Sequence, residues 1–174
     1  MDTCEAPNLL EQHHREAFGW ALVCCRWDAA EAEGVLQTVY LKILEGRARY
    51  GGRAAFRTWL FSVIRKTAAD ERRRRWLYRL RLARYGTGVP PAAPVELPGE
   101  ALHRSQREAQ LRSALAALPR RQQEVLRLVF YHDMTLQEAA VVMQVSVGSA
   151  RVHYERGKAR LRQWLEKVKV THAS

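Results

Sequence analysis

The chain is poor in the residues that mark most functional classes. It has three cysteines, Cys4, Cys24 and Cys25. An odd count with two adjacent is no disulfide framework and points to a reducing, cytoplasmic compartment. There is no C-x-x-C or H-x3-H pair. His13, His14, Cys24 and Cys25 come as adjacent pairs that point to different helix faces, so no metal site is expected. No stretch approaches the ~20 apolar residues of a membrane span. The start, MDTCEAPNLLEQHHRE, lacks a basic segment followed by an apolar run, so no signal peptide is expected. Alternating β-branched runs are missing, which leaves little room for strands. No glycine loop that would cradle a phosphate precedes a helix, and no nucleophile–base or paired-carboxylate arrangement stands out. Neither an enzyme nor a cofactor is expected. Acid is also in short supply: 29 Lys+Arg against 18 Asp+Glu give a net charge of +11. Such an excess predicts attraction to a polyanion, either nucleic acid or an acidic membrane surface.

What is present is helical periodicity. Residues 9–25 place Leu10, Ala17, Phe18, Ala21, Leu22 and Cys25 on one face, and residues 30–44 repeat the pattern with Val35, Leu36, Val39, Tyr40 and Ile43. EGRARYGGRAAF interrupts with three glycines and reads as a loop. The pattern resumes from Ala54 to about Arg84 as one long helix or two. YGTGVPPAAPVELPGE, residues 85–100, carries three Gly and four Pro and predicts an extended linker. Helices return over about 102–117, 119–130, 135–143 and 147–168. Pro119 suits a first helical turn, and Thr135 and Ser146 are N-cap residues. The expected fold is all-α: a domain over 1–84, a linker over 85–100 and a second domain over 101–174.

TLQEAAVVMQVSVGSARVHYERGKARLRQWL reads as a helix-turn-helix. Ala139 and Ala140 are small enough for a close crossing. Leu136, Val142 and Val145 supply an apolar stripe, Val152 packs against it, and Ser146 caps the second helix. Residues 147–169 carry seven Lys/Arg and two Glu. Such a helix fits the major groove, with Arg suited to guanine edges and phosphates and Lys to phosphates. The expected contacts are Ser146, Ser149, Arg151, His153, Arg156 and Lys158. The plainer reading is a helical hairpin with a solvated charged face. Gln144 stands in the turn where glycine is commonest.

The stretch LRSALAALPRRQQEVLRLVFYHDMTLQEAAVVMQVSVGSARVHYERGKARLRQWL resembles region four of bacterial sigma factors. AEGVLQTVYLKI and YGGRAAFRTWLFSVIRKTAADERRRR resemble region two, with Gln37, Phe56, Trp59, Leu60, Arg65 and Asp70 at matching places. The order and the short linker match the sigma-70 family's extracytoplasmic-function class. The resemblance implies a factor that binds core RNA polymerase and brings it to promoter DNA. The front domain would recognise and melt the minus-ten element, and the rear domain would bind the minus-thirty-five element. Expected minus-ten residues are Arg49, Tyr50, Gly52 and Arg53 in the loop, with Arg65, Lys66 and Arg73 behind them. Leu36, Gln37, Tyr40 and Leu41 match the face that docks on the β′ clamp helices, and the rear domain would meet the β flap. An anti-sigma protein would hold such a factor inactive. The two promoter elements lie ~70 Å apart. A linker of sixteen residues reaches at most ~55 Å, and domain radii near ~13 Å each close the gap.

The chain departs from the family in places. Lys66 replaces a usual Asn. Gly34 and Thr38 stand where acidic residues are common, leaving Glu31 and Glu33 nearby. A basic polymerase surface would lose partners there. Phosphorylation of Thr38, or of Tyr40, would restore about −2 charge, which makes a Ser/Thr kinase an expected further partner. The alternatives are a stand-alone helix-turn-helix regulator and a sigma-like protein that cannot melt DNA.

Overall fold

A computed structural model describes residues 5–84 and 113–171. Every element in it is a helix. Three form the front unit: α1 (Glu5–Cys24), α2 (Ala29–Leu44) and α3 (Phe56–Arg84). After a helical turn at 113–116, the rear unit has α4 (Arg120–Phe130), α5 (Leu136–Met143) and α6 (Val147–Thr171). Contacts divide the chain into units Met1–Leu97 and Pro98–Ser174. The linker expected over 85–100, and most of the helix expected over 102–117, lie outside the described residues.

In the front unit each helix packs on the other two. Ala17, Trp20 and Ala21 meet Ala32, Val35 and Val39 of α2 and Leu60, Phe61 and Ile64 of α3, all within 2% of full burial. Trp20 lies at the centre. Its ring stacks on Phe61 at 5.7 Å, and its indole N–H donates to the Phe61 carbonyl at 3.0 Å. A buried indole needs such an acceptor. The expected α1 face is therefore rotated: Leu10, Ala17, Ala21 and Cys25 are buried, but Phe18 and Leu22 are only half-buried. The turn after α1 holds Arg26 and Trp27 in left-handed conformations. Asp28 then caps α2 by accepting from the Glu31 amide at 2.9 Å.

In the rear unit α4 and α6 lie so close that a Cβ on Gly157 would stand 3.0 Å from Leu126 and 3.3 Å from Gln122. Leu115, Leu118 and Leu126 form a cluster against Tyr154 and Leu161. Glu124, buried, takes up Arg120 at 3.0 Å and Arg121 at 3.8 Å, and Arg121 also donates to the Met143 carbonyl at 3.0 Å, at the end of α5. Pro119 sits at the N-cap, one residue before α4. No described helix is long and apolar enough to cross a membrane.

Candidate nucleic-acid interface

The helix-turn-helix is built by its caps. Thr135 and Glu138 form a reciprocal capping box on α5: the Glu138 amide donates to Thr135 Oγ1 at 3.2 Å, and the Thr135 amide donates to Glu138 Oε2 at 2.8 Å. Gln144 ends α5 in the left-handed region at φ 55° and ψ 49°. A side chain there costs about 1 kcal/mol relative to glycine. Ser146 caps α6 by accepting from the Ser149 amide at 3.1 Å, and the two hydroxyls lie 2.9 Å apart. Ala139, Ala140 and Ala150 are buried where the helices cross, as small residues must be. Of the expected contacts, Ser146, Ser149, Arg151 and Arg156 are exposed, while His153 and Lys158 are half-buried. The Lys158 ammonium lies 4.7 Å over the Tyr154 ring and 3.3 Å from Glu155. Val152, expected beneath the motif, is 47% exposed instead.

In the front unit the loop over 45–55 carries left-handed Gly46 and Gly52. Arg49 donates through Nε to the Gly46 carbonyl at 3.2 Å, and Arg47 pairs with Glu45. Tyr50 anchors the loop. Its hydroxyl donates to the Ala54 carbonyl at 2.5 Å, and its ring meets Phe56 and Trp59, each at 5.4 Å. Gly51, Gly52 and Arg53 remain exposed at the tip. On α3 the arginines sort themselves. Arg72 donates to the Cys24 carbonyl at 3.4 Å, Arg74 to Glu71 at 3.0 Å, and Arg75 pairs with Glu31 across to α2. Arg73 makes none of these contacts and is exposed; Lys66, seven residues earlier, shares its face. Arg65 is half-buried.

A groove runs between α1 and α2. Leu10, His14, Phe18, Leu36, Tyr40 and Leu44 line it. The His14 Nδ1 and Tyr40 hydroxyl share a hydrogen bond of 3.0 Å, and burial raises the Tyr40 phenol above its ordinary value. Gln37 is exposed, Leu41 is 53% exposed and Leu44 47%. Leu36, expected as a polymerase contact, is 3% exposed and belongs to the core, reaching solvent only as part of the groove wall. Thr38 donates its hydroxyl to the Gly34 carbonyl at 2.9 Å. Among the described residues no group of three or more His, Cys, Asp or Glu is placed to hold a metal.

Residues 9–78 match the family model for Sigma-70 region 2, and residues 108–161 match that for Sigma-70 region 4. The chain belongs to the sigma-70 family. Its relatives identify the extracytoplasmic-function class. It is 26% identical to the ECF RNA polymerase sigma factor SigX of Bacillus subtilis over 162 residues, covering 91% of this chain and 82% of that one. It is 26% identical to the RNA polymerase sigma factor CarQ of Myxococcus xanthus over 143 residues, covering 82% and 79%. The fold is shared with the sigma factor RpoE, solved with the anti-sigma factor NepR from Bartonella quintana. That match has a TM-score of 0.70 at 18% identity and covers 92% of this chain and 96% of that one. CnrH, solved with the cytosolic domain of CnrY, gives a TM-score of 0.61 at 22% identity over 95% and 90%. This sigma factor is therefore a transcription initiation factor that directs RNA polymerase to promoters. A stand-alone regulator is not favoured, because its DNA reader would not need a region two.

Sequence reasoning missed Trp20 as the centre of the front core and Glu31 as the partner of Arg75. Trp20 lies three residues from Ala17, but the segment around it is apolar nearly all round, so periodicity alone did not select it. The second had no local signal, because the partners stand 44 residues apart.

Proposed function

We propose that the two units divide the promoter between them. The rear unit reads the minus-thirty-five element through α6, with Ser146, Ser149, Arg151 and Arg156 on the groove side and His153 and Lys158 at its edge. The front unit captures and helps melt the minus-ten element. The 45–55 loop offers Arg49, Gly52 and Arg53 to an unstacked base and its phosphates, with Tyr50 as the loop's anchor. Arg65, Lys66 and Arg73 follow the strand along α3. Gln37, Tyr40 and Leu41 meet the β′ clamp helices with Leu36 behind them, the rear unit meets the β flap, and residues 85–100 tether the units. An anti-sigma protein restrains the factor, in keeping with the structural relative RpoE, solved with the anti-sigma factor NepR. The factor works in the bacterial cytoplasm and carries out no chemistry of its own; bond formation belongs to the polymerase.

The observation that carries this reading is the pair of exposed basic surfaces, one per unit, on a chain that matches both family regions in order. Transcription in vitro with purified core polymerase on genomic DNA tests it, with start sites read out and permanganate footprinting of the complexes. Start sites sharing two spaced elements, with reactive thymines over the downstream one, are expected. Transcription without reactive thymines would remove the melting role.

A second reading concerns regulation. Glu31 is occupied by Arg75, so of the acids expected to face the polymerase only Glu33 is unpaired by this contact. Phosphorylation of Thr38 by a Ser/Thr kinase would restore about −2 charge beside it. Core-polymerase affinity should then rise for Thr38→Glu and stay unchanged for Thr38→Ala. Equal affinity for all three proteins ends the idea.

A further inference from the structure

Resting on the reading of α6 as the minus-thirty-five reader, the exposure pattern says which side chains read bases. Ala150, Gly157, and the half-buried Tyr154 and Leu161 define the inner face of α6. Opposite them Gly148, Val152, Glu155 and Ala159 are exposed at spacings of four, three and four residues, one continuous stripe. A helix lying in the major groove points the centre of its outer face at the base edges and its flanks at the phosphate walls. Arg151 and Arg156 lie on those flanks. On the stripe itself Gly148 and Ala159 are small and let the backbone approach the groove floor. Between Gly148 and Ala159 only Val152 and Glu155 on this stripe carry groups that distinguish bases; Arg162 and Glu166 continue it further along the helix.

Their chemistry is specific. Val152 is a β-branched apolar residue left 47% exposed. In the major groove the one apolar group on a base edge is the thymine 5-methyl. Glu155 is 59% exposed, is an acceptor only, and would be repelled by phosphate. The partner that rewards it is a base amino group, above all cytosine N4, with its companion guanine on the other strand. Lys158 holds Glu155 at 3.3 Å and is itself held over Tyr154, which limits the carboxylate's freedom and makes Lys158 a positioning residue. Three residues of helix rise ~4.5 Å, against ~3.4 Å per base pair, so the two side chains meet neighbouring pairs. We infer that Val152 and Glu155 set minus-thirty-five specificity, selecting a T·A pair beside a C·G pair.

The test uses holoenzyme reconstituted from the full chain and core polymerase. It selects from promoters randomised across the minus-thirty-five region, with wild type, Val152→Ala and Glu155→Gln in parallel. Wild type should enrich thymine beside cytosine. Val152→Ala should lose about fivefold preference at the thymine position alone, and Glu155→Gln a similar factor at the cytosine position alone. Replacing that thymine by uracil removes only the methyl group. Wild type should lose about the same factor and Val152→Ala nothing. Both side chains are exposed, so unchanged thermal melting of the variants is expected as well. Preferences that stay the same in both variants, or that weaken uniformly across all positions, overturn the inference while leaving promoter recognition standing. A wild-type holoenzyme that forms but selects nothing in this region overturns the underlying reading of α6, and this inference with it.

Discussion

Gly34 sits inside α2 with nothing within 4 Å of the place a Cβ would occupy. Glycine in a helix interior costs roughly 0.5–1 kcal/mol relative to alanine. Gly34→Ala should therefore stabilise the protein by about that amount, read as a raised denaturation midpoint at unchanged slope. Gly34→Glu should raise core-polymerase affinity, because it adds a carboxylate on the exposed side of α2 without displacing a neighbour. A gain in stability for both variants with equal polymerase affinity would place this position outside the docking face. Cys25 is a different case. Burial first, and the Glu31 carboxylate second, push its thiol up to about 11 from an ordinary 9.0. The thiolate is disfavoured in the folded protein, so its contribution to stability is whole below the unfolded value and is lost as pH rises from about 9 towards 11. Cys25→Ala should show a shallower fall in denaturation midpoint over that window than wild type, and the folded wild type should resist alkylation at Cys25 at pH 8. Equal slopes would assign the alkaline loss to other groups.

At the scale of the element, α3 is where a run of like residues turns out to hold unlike roles. A helix of 29 residues is ~43 Å long, and its arginine run lies where α3 still contacts α1 and α2. Arg72 and Arg75 face those helices and Arg73 faces away. Under the proposed function Arg73→Ala should reduce the slope of log affinity against log salt by about one and leave the melting temperature unchanged. Arg75→Ala should leave the slope alone. The ion pair it breaks is partly exposed, so the expected stability cost is under about 1 kcal/mol. Holoenzyme binding to a labelled promoter across a salt series, paired with melting curves, separates the two. The same element shows the limit of sequence reading. Helix periodicity located α3 and the dense charge on it, but which arginine is free to meet a ligand depends on Cys24 and Glu31, more than 40 residues away. α1 was misoriented for another reason. AFGWALVCC is apolar nearly all round, so the stripe had no sharp edge, and only packing against Phe61 selected Trp20. The rear unit was more legible because Thr135, Glu138, Ser146 and Gln144 act through neighbours in sequence. Val152 was expected beneath the motif but stands 47% exposed, on the side of α6 opposite the buried Ala150 and Gly157.

For the whole molecule, the question is what one chain gains by carrying both units. The groove on α1 and α2 and the exposed stripe on α6, to which polymerase docking and base reading are proposed, are surfaces of different units, and neither was placed by periodicity alone; the resemblance pointed to the helices, and exposure in the structure pointed to Val152 and Glu155. If each unit grips its own promoter element weakly, the tether makes the second contact intramolecular. Effective concentrations of this kind multiply affinity by ~10²–10⁴ without any new contact. Charge alone supplies no such gain, because a net +11 binds any duplex. A protease site inserted within residues 85–100, cut after the holoenzyme precursor has been purified, keeps every contact residue and removes only the connection. Transcription from a two-element promoter should then fall at least ~10² at limiting factor and recover as the concentration of the cut protein rises. A promoter bearing the minus-ten element alone should be unaffected by cutting. Equal loss at both promoters would mean the tether serves the front unit's fold, and no loss at either would mean the polymerase, not the chain, holds the two units together.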